Sequence, residues 1–172
     1  RALKISERVH LVCHEDATER LLLELGEHRL DLVLADSPIT SATSAKAFNH
    51  LLGSSGVTLF GTARLTARFR KGFPASLDGA PFLLPIEGCA LRRSLDQFFD
   101  AHNVRPSIVG EFKDSALLKA FGEAGAGLFA APTAITKEIR SHYKAAVVGH
   151  AQGVVERFYA VTVERRLKNP AV

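Results

Sequence analysis

Ile108-Val-Gly-Glu-Phe-Lys-Asp-Ser-Ala-Leu-Leu-Lys-Ala-Phe-Gly122, which runs on through a short turn into Gly125-Ala-Gly-Leu-Phe-Ala-Ala-Pro132, is the stretch on which the fold turns. It predicts a short strand, a carboxylate-bearing turn, a helix, a glycine turn and a second apolar strand. Asp114 suits the helix N-cap, where its carboxylate accepts the unpaired amides of the first turn. Leu117, Leu118 and Phe121 give that helix one apolar face, and Gly122 suits the left-handed residue that closes it. Leu128-Phe-Ala-Ala131 is apolar without alternation, the pattern of a strand covered on both faces. Two strands joined by a helix make a parallel unit, and such sheets bind ligands at the carboxyl ends of their strands. Glu111 and Pro132-Thr133 fall at those ends, so a wall of a binding site is expected there rather than a catalytic motif.

Outward from this stretch, strands and helices keep alternating. Val9-His-Leu-Val-Cys13 is predicted as a strand, followed by a helix over Thr18–Leu25 that Gly26 ends. Asp16, with Glu19 three residues on, has the look of a capping box. Leu30–Asp36 is the next strand, broken by Asp36-Ser-Pro38. Val57–Phe60 is another, leading into a solvated connector with Arg64, Arg68, Arg70 and Lys71. After the strand Phe82–Leu84, the helix 89–101 sets Leu91, Leu95, Phe98 and Phe99 on one face, with Arg92, Arg93, Asp96 and Asp100 outward. Ala134–His142 is predicted as a helix and Val154–Val163 as a strand, with a final helix beginning as the chain ends. This order predicts an α/β sandwich with mostly parallel sheets.

Composition excludes several function classes. Of 172 residues 47% are hydrophobic and 23% charged, broken into short runs, and no run approaches the roughly 20 residues of a membrane span. The opening Arg1–Glu7 has no signal-peptide core, which points to the cytoplasm. Cys13 and Cys89 are too few and too far apart for a disulfide framework, and Cys89 is expected as a small buried residue. The net charge of +4 is scattered apart from the Arg64–Lys71 cluster, and no DNA-reading motif is present, so DNA contact must come from outside this chain. Catalytic motifs are absent too. The seven histidines form no His-Glu-x-x-His, no Gly-x-Ser-x-Gly occurs, and Gly122, Gly125 and Gly127 follow a helix rather than precede one.

The wording of Gly110–Gly122, together with Leu32-Val-Leu-Ala-Asp-Ser-Pro-Ile39 and Asn169-Pro-Ala-Val172, resembles the effector domain of LysR-type transcriptional regulators. Within that family it is most similar to the branch that controls sodium/proton antiporters. The resemblance implies a two-lobed, periplasmic-binding-protein-like α/β fold whose lobes are joined by two crossing hinge strands, with the effector held between them. On that template residues 1–61 and 150–172 form the first lobe and 62–149 the second. The strand and helix that open the first lobe, and the winged helix-turn-helix DNA-binding domain, are then outside this chain. A cytoplasmic, non-enzymatic regulator is implied, with no catalytic residue and no cofactor. It would reach DNA through the absent domain, assemble as a homodimer or dimer of dimers using helix 89–101, contact RNA polymerase and stay off membranes.

Acidic residues cluster at predicted strand ends: Glu15, Asp36, Glu87, Glu111 and Asp114. A hard monovalent cation such as sodium wants several oxygen ligands, and carboxylates, hydroxyls and carbonyls supply them. Asp36 and Glu111 are the expected ion ligands. The full effector site is expected to comprise Glu15, Asp36, Ser37, Pro38, Glu87, Glu111, Phe112, Asp114, Pro132 and Thr133, with His14 as a group titrating near neutrality. Helix starts near Gly88 and Asp114 would instead attract a small organic anion, the competing ligand class. A periplasmic solute-binding protein and a small α/β enzyme are the rival functions. The first should carry a signal peptide and the second a nucleophile–base or metal set.

Overall fold

The computed structural model describes residues 10–40 and 47–165. The chain divides into two compact units, 1–53 with 157–172, and 54–156. Two long strands, β2 (Phe48–Gly61) and β6 (Ala146–Thr162), run through both.

In the first unit, α1 (Thr18–Gly26) packs on β1 (Val33–Ala35), which pairs antiparallel with β6, Val33 opposite Val161. Leu22 and Leu25 of the helix close a small core with Val33 and Val161, as their spacing requires. Asp16 does not cap the helix: the N-cap is Ala17, and Asp16 accepts from the amide of Ala17 at 2.7 Å and pairs with Arg20 at 3.1 Å. The strand predicted from Val9 is not formed over residues 10–13. Leu11 and Val12 are exposed there, with no ladder to hold them extended. Val9 itself, the terminal Asn169–Val172 and the predicted final helix lie outside the described residues.

The second unit contains the stretch that decides the fold. β3 (Pro81–Pro85) pairs parallel with β4 (Ser107–Phe112), and α4 (Ser115–Glu123) carries the chain to β5 (Phe129–Pro132). The amide of Leu83 donates to the Leu128 carbonyl and the amide of Leu128 to the Pro81 carbonyl, both at 2.8 Å. Hence β3 lies between the two strands that α4 connects, which is the parallel crossover the sequence predicts. Its side chains serve both faces. Phe82 and Leu84 join Leu95, Phe98 and Phe99 of α3 (Ala90–Ala101), whereas Leu83 joins Leu118 of α4 and Phe129.

The sheets are mixed. β5 also pairs antiparallel with β2, from Val57 opposite Pro132 to Phe60 opposite Phe129, and the larger sheet has the order β1-β6-β2-β5. The expected weight of parallel pairing is reduced because β2 runs antiparallel to β5 and β6 antiparallel to β1. β2 begins at Phe48, nine residues before the predicted strand; Gly53, Ser54, Ser55 and Gly56 carry no strand signal and are held by their neighbours in the sheet. The predicted connector contains α2 (Ala63–Phe69), capped by Thr62 and anchored by buried Leu65 and Phe69.

Two details of the deciding stretch differ from expectation. Gly122 is helical and buried, and the left-handed residue is Gly125 (φ 82°). Leu118 is the buried side chain of α4, while Leu117 and Phe121 are about half exposed, because α4 makes its close approach to the sheet through Gly122.

Candidate functional site

The carboxyl ends of β3 and β4 converge on one side chain, Arg92. It occupies the first turn of α3 and shares the i, i+3, i+7 stripe of Leu95 and Phe99, so its aliphatic stem follows the core face. Only 6% of the residue is exposed. Its Nε donates to both oxygens of Asp96 at 3.0 and 3.1 Å, and one terminal nitrogen donates to the Pro85 carbonyl at 3.0 Å and to Glu111. Glu87, largely exposed, lies 4.0 Å from the other. The bond to Glu111 holds the guanidinium charged and its pKa above the usual value, opposed by burial and reinforced by Asp96. A buried charge is tolerated only when paired and hydrogen-bonded, and these partners meet that requirement.

This corrects the sequence reading of α3. Arg92 is turned inward. Of the other residues expected outward, Asp96 bonds to Arg92, Asp100 pairs with Arg105 at 2.6 Å, and Arg93 reaches back to the Gly88 carbonyl at 2.5 Å. Cys89 is the N-cap of the helix, its sulfur accepting from the amide of Arg92 at 3.4 Å. Glu111, read as an ion ligand, has a guanidinium as its neighbour.

A second polar group occupies the other edge of this unit, where β5 ends. Thr58 of β2 is fully buried, and its hydroxyl lies 2.8 Å from that of Thr133 and 2.9 Å from Nδ1 of His150 on β6. Ser55, three residues earlier on β2, accepts from the amide of Ala134 at 3.0 Å and donates to the Gly56 carbonyl at 2.8 Å. Pro132 precedes the short 3-10 turn Thr133–Ile135 that leads into α5 (Thr136–His142). Hydroxyls, an imidazole and a turn's first amides thus gather within one unit, a set able to bond either an anion or, through its oxygens, a hard cation.

The remaining predicted residues are spread over both units. Asp114 caps α4, accepting from Ala116 at 2.7 Å and Leu117 at 3.4 Å. Phe112 packs on Phe121, ring centroids 5.1 Å apart. In the first unit Glu15, Asp36 and Pro38 are exposed, and the Ser37 hydroxyl donates to Asp36 at 3.2 Å. Glu15, Asp36, Ser37 and Pro38 belong to one unit, and Glu87, Glu111, Phe112, Asp114, Pro132 and Thr133 to the other. No group of three or more histidine, cysteine or acidic side chains able to hold a metal ion occurs among the described residues. Sequence reasoning missed Ser55, Thr58 and His150. The available signal was a threonine inside an otherwise apolar strand, where a buried hydroxyl needs a partner.

Comparison with known proteins gives three findings. Residues 7–172 match the family model described as the LysR substrate binding domain. The transcriptional activator protein NhaR of Escherichia coli (strain K12) is 34% identical over 166 residues, 96% of this chain and 54% of that protein. The chain therefore spans about half the length of the curated relatives it matches. Among solved structures, the regulatory domain of HypT from Salmonella typhimurium superimposes with a TM-score of 0.74 at 17% identity, covering 99% of this chain and 81% of that one. The effector binding domain of QuiR in complex with shikimate gives 0.60 at 14% identity, covering 91% and 73%. These likenesses establish the fold as that of a periplasmic-binding-protein-like regulatory domain.

Proposed function

The chain belongs to the LysR substrate-binding domain family, and from that premise we propose that it is the effector-sensing part of a transcriptional activator that responds to sodium. The observation that carries this reading is the match to NhaR along almost the whole chain. The family is one of transcriptional regulators rather than enzymes. LysR regulators bind DNA and act as oligomers; here DNA contact, homodimerisation through α3 and contact with RNA polymerase are assigned to the whole protein, acting in the cytoplasm. No helix of the described residues is long and apolar enough to cross a membrane.

For the ion, Asp36 supplies the carboxylate and Ser37 a hydroxyl, while Glu111 is already neutralised by Arg92 and serves to hold β4 against α3. Any effector works as a switch by binding one arrangement of the protein better than another. The test is a melting series in sodium, lithium, potassium and choline chlorides at equal ionic strength. A site filled at ten times its Kd adds about 1.4 kcal/mol, roughly 3–6 °C for a chain of this size. Sodium should raise the melting temperature above choline, and Asp36→Ala should remove the difference. Equal melting in all four salts refutes the reading.

A small organic anion is the second reading. The hydroxyls of Thr58 and Thr133 and the imidazole of His150 favour it, and QuiR is solved with shikimate. Stabilisation by small carboxylates, without any response to sodium, would select it.

A further inference from the structure

Four cations lie within eight residues at α2: Arg64, Arg68, Arg70 and Lys71. All four are exposed, and none forms an ion pair among the described residues. From Arg64 to Lys71 no acidic residue interrupts them. Beside them runs an open groove of about 490 Å³, lined by Ala63, Thr66, Ala67, Arg70, Lys71 and Ala146. The first four of these recur at i, i+3, i+4 and i+7, so the groove follows one face of α2. Its floor is small: two exposed alanines, and Thr66 with its hydroxyl already turned onto the carbonyls of Gly61 and Ala146. A floor of small residues lets another helix approach closely, and the rim selects one with negative charge.

The same chain carries a helix of that description. On α1, Leu23 is 67% exposed, with Glu19 one turn before it at i−4 and Glu24 beside it. Glu15, Glu19 and Glu24 make no ion pair among the described residues. Five residues of helix set Glu19 and Glu24 about 7.5 Å apart along the axis, and six set Arg64 and Arg70 about 9 Å apart, so the acidic side of a docked helix spans a length like that of the basic rim. We propose that the α2 groove docks α1 of a second copy of this chain, with Leu23 seated on the alanine floor and the flanking glutamates on the basic rim. This contact is separate from pairing through α3 and does not rest on the identity of the effector.

The test is sedimentation velocity of the 172-residue chain at a protein concentration high enough to populate a weak dimer, in low and high salt. Screening lengths fall from about 10 Å at 0.1 M to about 3 Å at 1 M, so association through this contact should weaken with salt. Arg70→Glu with Lys71→Glu should raise the dissociation constant roughly tenfold or more, as should Glu19→Lys with Glu24→Lys. Ala67→Trp should do the same by filling the groove without a change of charge. Mixing the two charge-reversed proteins should restore association, because the reversed rim of one then faces the reversed helix of the other; two merely misfolded variants would not recover on mixing. Association unaffected by all three variants overturns the proposal, as does a parent chain that stays monomeric. If random-sequence DNA binds the parent and the Arg70→Glu, Lys71→Glu protein loses it with no change in association, the rim serves nucleic acid and the proposal also fails.

Discussion

Gly122→Ala sets two effects of opposite sign against each other inside α4. Glycine within a helix costs up to about 1 kcal/mol relative to alanine, so propensity alone predicts a more stable protein. Packing predicts the reverse. A Cβ at Gly122 would lie 2.5 Å from Cε1 of Phe129 and closer still to Cδ1. Phe129 is fully buried and stacked on Phe60 with centroids 5.7 Å apart, so the ring has nowhere to go. Forcing a methyl into a filled core costs about 1–3 kcal/mol, and a clash with a buried ring belongs at the upper end. The expected net effect is a loss of about 1–2 kcal/mol, roughly 3–8 °C in melting temperature. Gly26→Ala is the matched control: it ends α1, nothing lies within 4 Å of the place an added methyl would take, and its backbone is not left-handed. It should be neutral or stabilising by up to about 1 kcal/mol. Urea unfolding followed by circular dichroism suits the comparison, since the chain has no tryptophan. A Gly122→Ala protein as stable as the parent would refute this close packing of α4 on β5.

Other substitutions probe the same unit. Arg92→Ala should cost about 2–3 kcal/mol: it removes bonds to two carboxylates and a carbonyl, but those carboxylates are nearly half exposed and regain water; a loss below about 0.5 kcal/mol in urea unfolding would show that the guanidinium does not tie α3 to β4. Asp114→Ala should cost about 1 kcal/mol, with Asp114→Asn close to the parent, and an unchanged melting temperature would contradict its capping role. Burial lowers the pKa of half-buried Lys119, against the pull of Asp114 and Glu156. The folded chain then releases that proton at lower pH than the unfolded one, so this group's contribution to stability rises as pH climbs from the lowered value to the ordinary lysine range. Lys119→Met should flatten that part of a stability–pH profile, and an unaltered slope would count against it.

The crossover from β4 through α4 to β5 was legible because every local signal agreed: a capping aspartate, a short apolar face, a glycine turn and an unbroken apolar strand. The same agreement placed α1 and α3 within a residue of their observed ends. What escaped the sequence reading depends on distant partners. The first half of β2, rich in glycine and serine, is extended because the sheet holds it rather than because its residues favour strands. α2 was hidden because its arginines read as solvent, though Leu65 and Phe69 at i, i+4 carried the helical signal. At the candidate site, carboxylates were found where strands end, but their partners were not. Arg92 sits in the core stripe of α3, and a charge there announces a buried partner, which chain position alone does not identify as Glu111. Thr58 and His150 lie 92 residues apart and meet only through the sheet.

The most direct test of a sodium-responsive effector domain is sodium binding itself, read from the relaxation of the sodium nucleus in solutions of the chain. Added protein should broaden the sodium signal, lithium should displace the ion, and equimolar potassium should leave the broadening in place. Asp36→Ala should abolish it, while Glu111→Gln should retain it. A signal no broader with the chain than with an equal concentration of an unrelated protein of similar charge would contradict sodium sensing and leave the organic-anion reading in its place.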